Sequence, residues 1–267
     1  MKKEVKNAER NVIYGLKKIP ISQKRIKIAN LFKEVSNDYD KMNDIMSLGA
    51  HRIWKKDLVD RIRKDQFLND SKDILDLAGG TGDIAFEIKK QFKNNNITVM
   101  DLTPSMIKIG KSKASTVAFK GNLKWVAGDS AYLPFRDYSF NNITCAFGIR
   151  NVAEIEKTIN GCYKVLKPGG KLMILEFSPE VITPFQKFYE YYLKNVIPFL
   201  GEKIANNRMA YQYLSESIKT FYSAENFCKL LESKGFHLVN IKKYANGAAY
   251  LYIACLLYTS PSPRDRG

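Results

Sequence analysis

The stretch from Asp73 to Asp83, DILDLAGGTGD, constrains this chain more than any other. Ile74, Leu75 and Leu77 form a short apolar run that suits a buried parallel strand. The run ends in Gly79, Gly80, Thr81 and Gly82, and the helix-compatible segment IAFEIKKQF follows. A strand that stops at glycines lets a ligand approach the backbone closely, because no Cβ stands in the way. In an open α/β sheet such a turn lies at the carboxyl edge of the strands, where ligands bind. A second apolar run, in NITVMDL, leads to Asp101, nineteen residues after Gly82. An acid at the tip of the second strand typically holds the two ribose hydroxyls of a nucleoside. The glycine loop and the spaced acid together read as a nucleoside-cofactor site.

The residues at the helix start narrow the cofactor. A nicotinamide dinucleotide wants G-x-G-x-x-G and a helix N-terminus facing its pyrophosphate. Here Asp83 opens the helix, and its carboxylate repels a pyrophosphate while suiting a cationic or zwitterionic ligand. S-adenosylmethionine carries a sulfonium and an ammonium and no phosphate, so it fits better.

Around this loop the chain alternates strands and helices. Strands are expected at 73–78, 97–102, 123–127, 138–147 and 171–177, with helices between them and a turn at Lys167-Pro168-Gly169-Gly170. That rhythm predicts an α/β fold with a doubly wound, mostly parallel sheet. Residues 1–72 read as an N-terminal helical lid, with a helical stripe over 26–39 and a mobile start. Residues 73–178 form the cofactor-binding core. An aromatic helical cap is inserted at 179–222, carrying Phe185, Phe188, Tyr189, Tyr191 and Tyr192. Residues 223–255 close the fold with a helix and an antiparallel edge hairpin. The segment 256–267, ending TSPSPRDRG, continues no element and reads as a non-native tail.

Composition excludes several alternatives. Four scattered cysteines without a C-x-x-C pair, and only two histidines, suggest neither a disulfide framework nor a zinc site. No metal is expected, and the start MKKEVKNAERNV has no apolar signal region. The longest uncharged run, within 244–263, has an apolar part well short of the roughly 20 residues of a membrane span. A net charge of +16 permits nucleic acid, anionic membrane or acidic partners without choosing among them.

Several stretches together resemble one family, the ubiquinone/menaquinone biosynthesis C-methyltransferases. They are YDKMNDIMSLGAHRIW (39–54), LDLAGGTGD (75–83), FGIRNV (147–152) and KVLKPGGKLMILEFS (164–178), with support from YQYLSESI (211–218). The resemblance spans roughly residues 14–254. It implies a Rossmann-like class I methyltransferase that uses S-adenosylmethionine to methylate a ring carbon of a polyprenylated quinol. It also implies peripheral contact with an anionic membrane, cytoplasmic at the inner membrane or on the mitochondrial matrix side, and allows a quinone-biosynthesis complex or a homodimer. Two departures stand out. Ala78 replaces the first glycine of the general methyltransferase loop, as in this family's own form, and Ala146 replaces a serine common among relatives, leaving only a backbone contact there.

By that resemblance, Gly79, Gly80 and Gly82 give backbone access, and Thr81 faces the methionine end of the cofactor. Asp101 takes the ribose, while Asp129 and Ser130 take the adenine. Carbon methylation requires the quinol hydroxyl to lose its proton as the ring carbon takes the methyl. Arg150 is the candidate for stabilising the phenolate, against a structural role pairing Glu176. His51 is a candidate general base, against a role bonding the lid backbone. Tyr39, Asp40, Met42 and Asn43 would shape the lid, and Trp54 would belong to the core. The rivals are a nucleic-acid methyltransferase, for which no N/D-P-P-Y loop or Pro-Cys nucleophile is present, and a non-catalytic scaffold of a quinone-synthesis complex.

Overall fold

The computed structural model describes residues 9–36, 39–63, 72–116 and 123–257, apart from the side chains of 39–42 and 205. The first described segment departs from the expected helical lid. Strands β1 (Asn11–Tyr14) and β2 (Lys17–Pro20) form an antiparallel hairpin around Gly15, whose φ of 58° fits the tight turn. Pro20 ends β2, and helix α1 (Ile21–Glu34) begins immediately after it. Helices α2 (Tyr39–Ser47) and α3 (His51–Arg63) follow, separated where Leu48 and Gly49 take left-handed backbone conformations.

The alternation then proceeds as β3 (Asp73–Leu77), α4 (Asp83–Gln91), β4 (Asn96–Asp101), α5 (Pro104–Thr116) and β5 (Leu123–Ala127). It continues through β6 (Phe140–Ala146), α6 (Ile155–Val165) and β7 (Leu166–Phe177). The expected turn at 167–170 is instead part of β7. Leu166 pairs with Phe140 and Lys171 with Asn142, so the intervening residues form an irregularity inside the strand. Backbone bonds from Gly169 N–H to Leu256 O and from Leu256 N–H to Gly170 O hold that irregularity against the end of the described chain. Leu256 is therefore packed into the fold, while 258–267 of the suspected tail lies outside the described residues.

The inserted segment is helical as expected. It contains α7 (Gln186–Tyr191), a π-turn over Tyr192–Val196, α8 (Ile197–Ala205) and α9 (Arg208–Lys219). Helix α10 (Ala224–Ser233), β8 (His237–Tyr244) and β9 (Ala249–Cys255) complete the chain. The seven-stranded sheet has the order β5-β4-β3-β6-β7-β9-β8. The first five strands are parallel, and β9 inserts antiparallel between β7 and β8.

Two apolar layers cover the sheet. One includes Trp54, which packs on Phe147, Phe177 and Tyr244 and is only 7% exposed. The chain order reverses between β3 and β6, so the loops after these two strands stand side by side at the carboxyl edge. That crevice is where an open α/β sheet binds its ligand.

Candidate active site

The loop after β3 is shaped by its backbone. Ala78, Gly80 and Gly82 have φ of 51°, 56° and 89°, the left-handed region. A Cβ on Gly79 would stand 2.6 Å from Asp76 Oδ2, and one on Gly82 would meet Trp125 at 2.7 Å. The neighbouring loop is fitted to this one. A Cβ on Gly148 would lie 2.7 Å from the Cβ of Ala78, so the FG of FGIRN is matched to the alanine of AGGTG.

A cleft of about 600 Å³ opens beside these loops. Its walls include Ala78, Gly80, Asp101, Asp129 and Ser130, with Ile28, Phe32, Leu102 and Met106 supplying apolar surface. Asp101 Oδ2 accepts the Gly80 N–H at 2.9 Å and Oδ1 accepts the Thr103 N–H at 2.8 Å. Burial pushes this carboxyl up and the two backbone donors pull it down. Fixed in this way at the cleft wall, it can accept from a pair of vicinal hydroxyls. Asp129 Oδ1 accepts the Ala131 N–H at 2.9 Å, while Oδ2 forms an ion pair with Arg25 at 2.7 Å. Arg25 also pairs with Glu154 and stacks over Tyr132. Helix α1 is thus strapped across the outer end of the cleft, a contact the sequence reading did not foresee.

A smaller cleft adjoins through Ala78 and is lined by Lys55, Asp76, Gly79, Asp83, Ile84 and Ala146. Asp76 is fully buried. The Thr144 hydroxyl donates to its Oδ1 at 2.9 Å, while Oδ2 has no hydrogen-bond partner among the described residues. Burial is the main cause that pushes its carboxyl up to about 7. Lys55 pairs with Asp83 at 3.1 Å. The orphaned buried Asp76 oxygen, beside the Lys55–Asp83 pair, can accept from an ammonium, so the two clefts fit the cationic and nucleoside ends of S-adenosylmethionine. Asp76 was missed from sequence, although a charge within the otherwise apolar ILDL was the available signal.

The other sequence candidates are placed as follows. Thr81 is buried and lines neither of these clefts. Its hydroxyl donates to Asp83 Oδ1 at 3.4 Å and accepts from Lys113 Nζ at 3.2 Å. Ala146 faces the smaller cleft, and Gly82 lies under Trp125. His51 is buried at the start of α3 and lines neither cleft. Ser47 gives its hydroxyl proton to Asn43 O at 2.7 Å, so His51 Nδ1 is the donor in the 2.9 Å contact with Ser47 Oγ. Burial and the nearby Lys55 lower this imidazole to about 4. The side chains of Tyr39, Asp40 and Met42 lie outside the described residues.

Arg150 lies in the turn after β6 and is 5% exposed. Its Nη1 meets Glu176 Oε1 at 2.6 Å and Phe147 O at 2.8 Å, and its Nε donates to Ser217 Oγ at 3.2 Å. The guanidinium also stands over the Phe177 ring. Arg150 lines a third cleft, of about 930 Å³, between the β1–β2 hairpin, α1, the start of α6 and α9. Ala153 belongs to both this cleft and the nucleoside cleft. Burial pushes the Cys145 and Cys162 thiols up, the latter to about 12, so neither supplies a thiolate nucleophile. Among the described residues, no group of acids, histidines and cysteines could hold a metal ion.

Known proteins agree with this architecture. A methyltransferase from Aquifex aeolicus, titled as dependent on S-adenosylmethionine, superposes with a TM-score of 0.54 at 16% identity, covering 74% of this chain and 89% of its own. Another so titled, from Methanosarcina mazei, gives 0.54 at 19% identity, covering 74% and 98%. These likenesses establish a Rossmann-like methyltransferase fold. In sequence, a Roseobacter denitrificans protein named ubiquinone/menaquinone biosynthesis C-methyltransferase UbiE is 40% identical over 239 residues, 90% of this chain and 94% of that one. A Psychromonas ingrahamii protein of the same name is 41% identical over 232 residues, 86% and 90% of the two chains. The model of the ubiE/COQ5 methyltransferase family matches residues 20–255, and the chain belongs to that family.

Proposed function

We propose that this chain methylates a ring carbon of a polyprenylated benzoquinol or naphthoquinol, with S-adenosylmethionine as donor, in ubiquinone or menaquinone synthesis. The observation that carries the reading is the pair of clefts sharing Ala153, one walled by Asp101 and Asp129 and the other floored by Arg150. Bound in the first, S-adenosylmethionine supplies an electrophilic methyl group on a sulfonium. Asp101 would hold the ribose, Asp129 and Ser130 the adenine edge, and Asp76 with Asp83 the ammonium end. Gly79, Gly80 and Gly82 would bring the backbone close, with Thr81 and Ala146 supporting the loop ends.

A ring carbon becomes nucleophilic as its hydroxyl loses a proton. Arg150 would stabilise the negative charge that then develops on the ring oxygen. Its ion pair with Glu176 fixes the guanidinium, which lowers the reorganisation needed when that charge appears. His51 is read as structural, because its ring is buried, held neutral and turned to Ser47, whose hydroxyl oxygen also accepts the His51 backbone N–H.

The lipid substrate also requires a membrane. We assign peripheral contact with an anionic surface to the exposed aromatic cap, and no described helix is long and apolar enough to cross a membrane. The test incubates the purified chain with S-adenosylmethionine carrying a labelled methyl group and either a benzoquinol or a naphthoquinol of short prenyl length. Mass spectrometry should find the label on a ring carbon. Label on a ring oxygen, or none with either ring, would defeat the reading.

A further inference from the structure

The third cleft holds a second buried cation that the preceding mechanism does not use. Lys24, on α1, is 6% exposed and lines the same cleft as Arg150. Its Nζ donates to Val152 O at 3.0 Å, and no carboxylate lies within ion-pair distance among the described residues. An ammonium has three donors, so this one contact leaves most of its capacity open. Buried charges are ordinarily paired, because taking one out of water costs several kcal/mol. The two carboxylates on the cleft wall offer no remedy. Glu154 is held by Arg25, and Glu156 by Lys234 at 3.1 Å. Burial accordingly lowers the Lys24 amine to about 8.

The charged and titratable groups that line this cleft with Lys24 are Arg10 near the hairpin, Arg150, Glu154, Glu156 and Lys157 beyond β6, and Tyr222 after α9. Arg150 is matched by Glu176, and both cleft acids are engaged by cations outside the lining, so among the described residues the uncompensated positive charge is that of Lys24 with Arg10 and Lys157. The remaining walls mix apolar Val12, Ile13, Ile155 and Phe221 with polar Asn11, Ser217 and Thr220. A flat, partly apolar ring bearing one oxyanion matches this combination better than a free inorganic anion, which would gain nothing from the apolar walls.

We propose that Lys24 is the second cation of an aryl-oxide subsite, binding the ionised ring oxygen of the acceptor together with Arg150. The inference rests on the quinol reading above and adds to it a residue that decides the charge state in which the ring is held. Lys24 lies one helical turn from Ile28 of the nucleoside cleft, so α1 carries contacts to both sites.

The probe is 2-hydroxy-1,4-naphthoquinone, a coloured ring ionised at neutral pH, compared with uncharged 1,4-naphthoquinone. Absorbance titrations of the full chain should show the ionised ring binding at least about tenfold more tightly. Lys24→Met should erase most of that preference and leave the uncharged ring unchanged, whereas Lys24→Arg should keep it within about threefold. In the unsubstituted protein, affinity for the ionised ring should fall as pH rises through about 8, where Lys24 loses its charge. Lys24→Arg should lose that pH dependence. The pH arm uses the native chain, so it decides the question even if Lys24→Met melts early. Equal affinity of Lys24→Met for the ionised ring, a flat profile from pH 7 to 9.5, or full displacement by millimolar inorganic phosphate would each overturn the assignment. Calorimetry with S-adenosylmethionine, run separately, tells a failure of the methyltransferase reading from a failure of this subsite.

Discussion

At the residue scale, Asp76 should couple cofactor binding to protons. Its carboxyl is raised from 3.8 to about 7, so the folded chain holds a proton there that the unfolded chain has lost. That contribution to stability is present below about pH 4 and is lost as pH rises through about 7. A cation arriving beside the orphaned Oδ2 favours the ionised form. S-adenosylmethionine should therefore bind with proton release near pH 6, and more tightly as pH rises through this window. Calorimetry in two buffers of different ionisation enthalpy reads that release directly. Methylthioadenosine, which lacks the ammonium end, should release none. Asp76→Asn should abolish the release and weaken the cofactor about tenfold or more, given roughly 1.5–3 kcal/mol for a charge-assisted hydrogen bond. Release that persists in Asp76→Asn would move the proton to another group. Arg150 is the other residue whose roles must be separated. Its pair with Glu176 is buried on both sides, so Arg150→Ala should strand a carboxylate and cost about 3–5 kcal/mol of stability. It should also lower kcat about 10²–10³-fold if the guanidinium stabilises the developing oxyanion. Replacing both partners by apolar residues, Arg150→Met with Glu176→Leu, should restore much of the melting temperature without restoring turnover. A double variant that regains both would make the arginine purely structural.

At the element scale, helices α8 and α9 of the cap are locked to each other. A Cβ on Gly201 would stand 2.2–2.6 Å from Tyr211, which is fully buried and has no room to turn aside. Gly201→Ala should therefore destabilise the chain by about 1–3 kcal/mol through overpacking, seen as a shifted denaturant midpoint. An unchanged midpoint would mean that the two helices part more easily than their contact suggests. Such contacts set the limit of what the sequence reveals. Strands β3 to β7 were legible because runs such as ILDL and KLMILEF are apolar and closed by turn residues. The β1–β2 hairpin was not, since its four-residue strands are only half-buried and mix lysines with apolar residues. The KPGG segment read as a turn became part of β7 because its backbone is completed by Leu256, far along the chain. The site divides in the same way. Asp101 was found by its spacing from the loop, while Arg25 at Asp129 and Lys55 at Asp83 depend on partners that only the folded chain brings near.

At the scale of the whole molecule, the question is how a soluble nucleoside cofactor and a lipid ring reach the same two clefts. The cap offers one face to the core and another outward. On the inner side, Tyr189 donates to Ser178 O and Tyr192 to Ile45 O, fixing the segment to β7 and α2. On the outer side, Ile182, Phe185, Phe188, Tyr191, Phe199 and Ile204 are exposed, Phe188 by 70%. Exposed lysines 187, 194 and 203 are interleaved with them, on a chain of net charge +16. Clustered apolar side chains with basic neighbours have the composition of a surface that inserts shallowly among anionic headgroups. Each lysine near such a surface is worth about 1 kcal/mol at physiological salt, a term that screening weakens, whereas the aromatic contribution persists. The chain should sediment with vesicles containing anionic lipid, less so at high salt but never wholly released. Phe185→Ser with Phe188→Ser should leave the melting temperature unchanged, since neither ring is buried, and weaken vesicle binding by about tenfold or more. The same variant should methylate a short-chain quinol analogue in solution at the normal rate and a long-chain quinol in vesicles slowly. If both substrates are turned over normally and vesicle partition is unaltered, the aromatic face is not the membrane contact and the lipid must enter from another side.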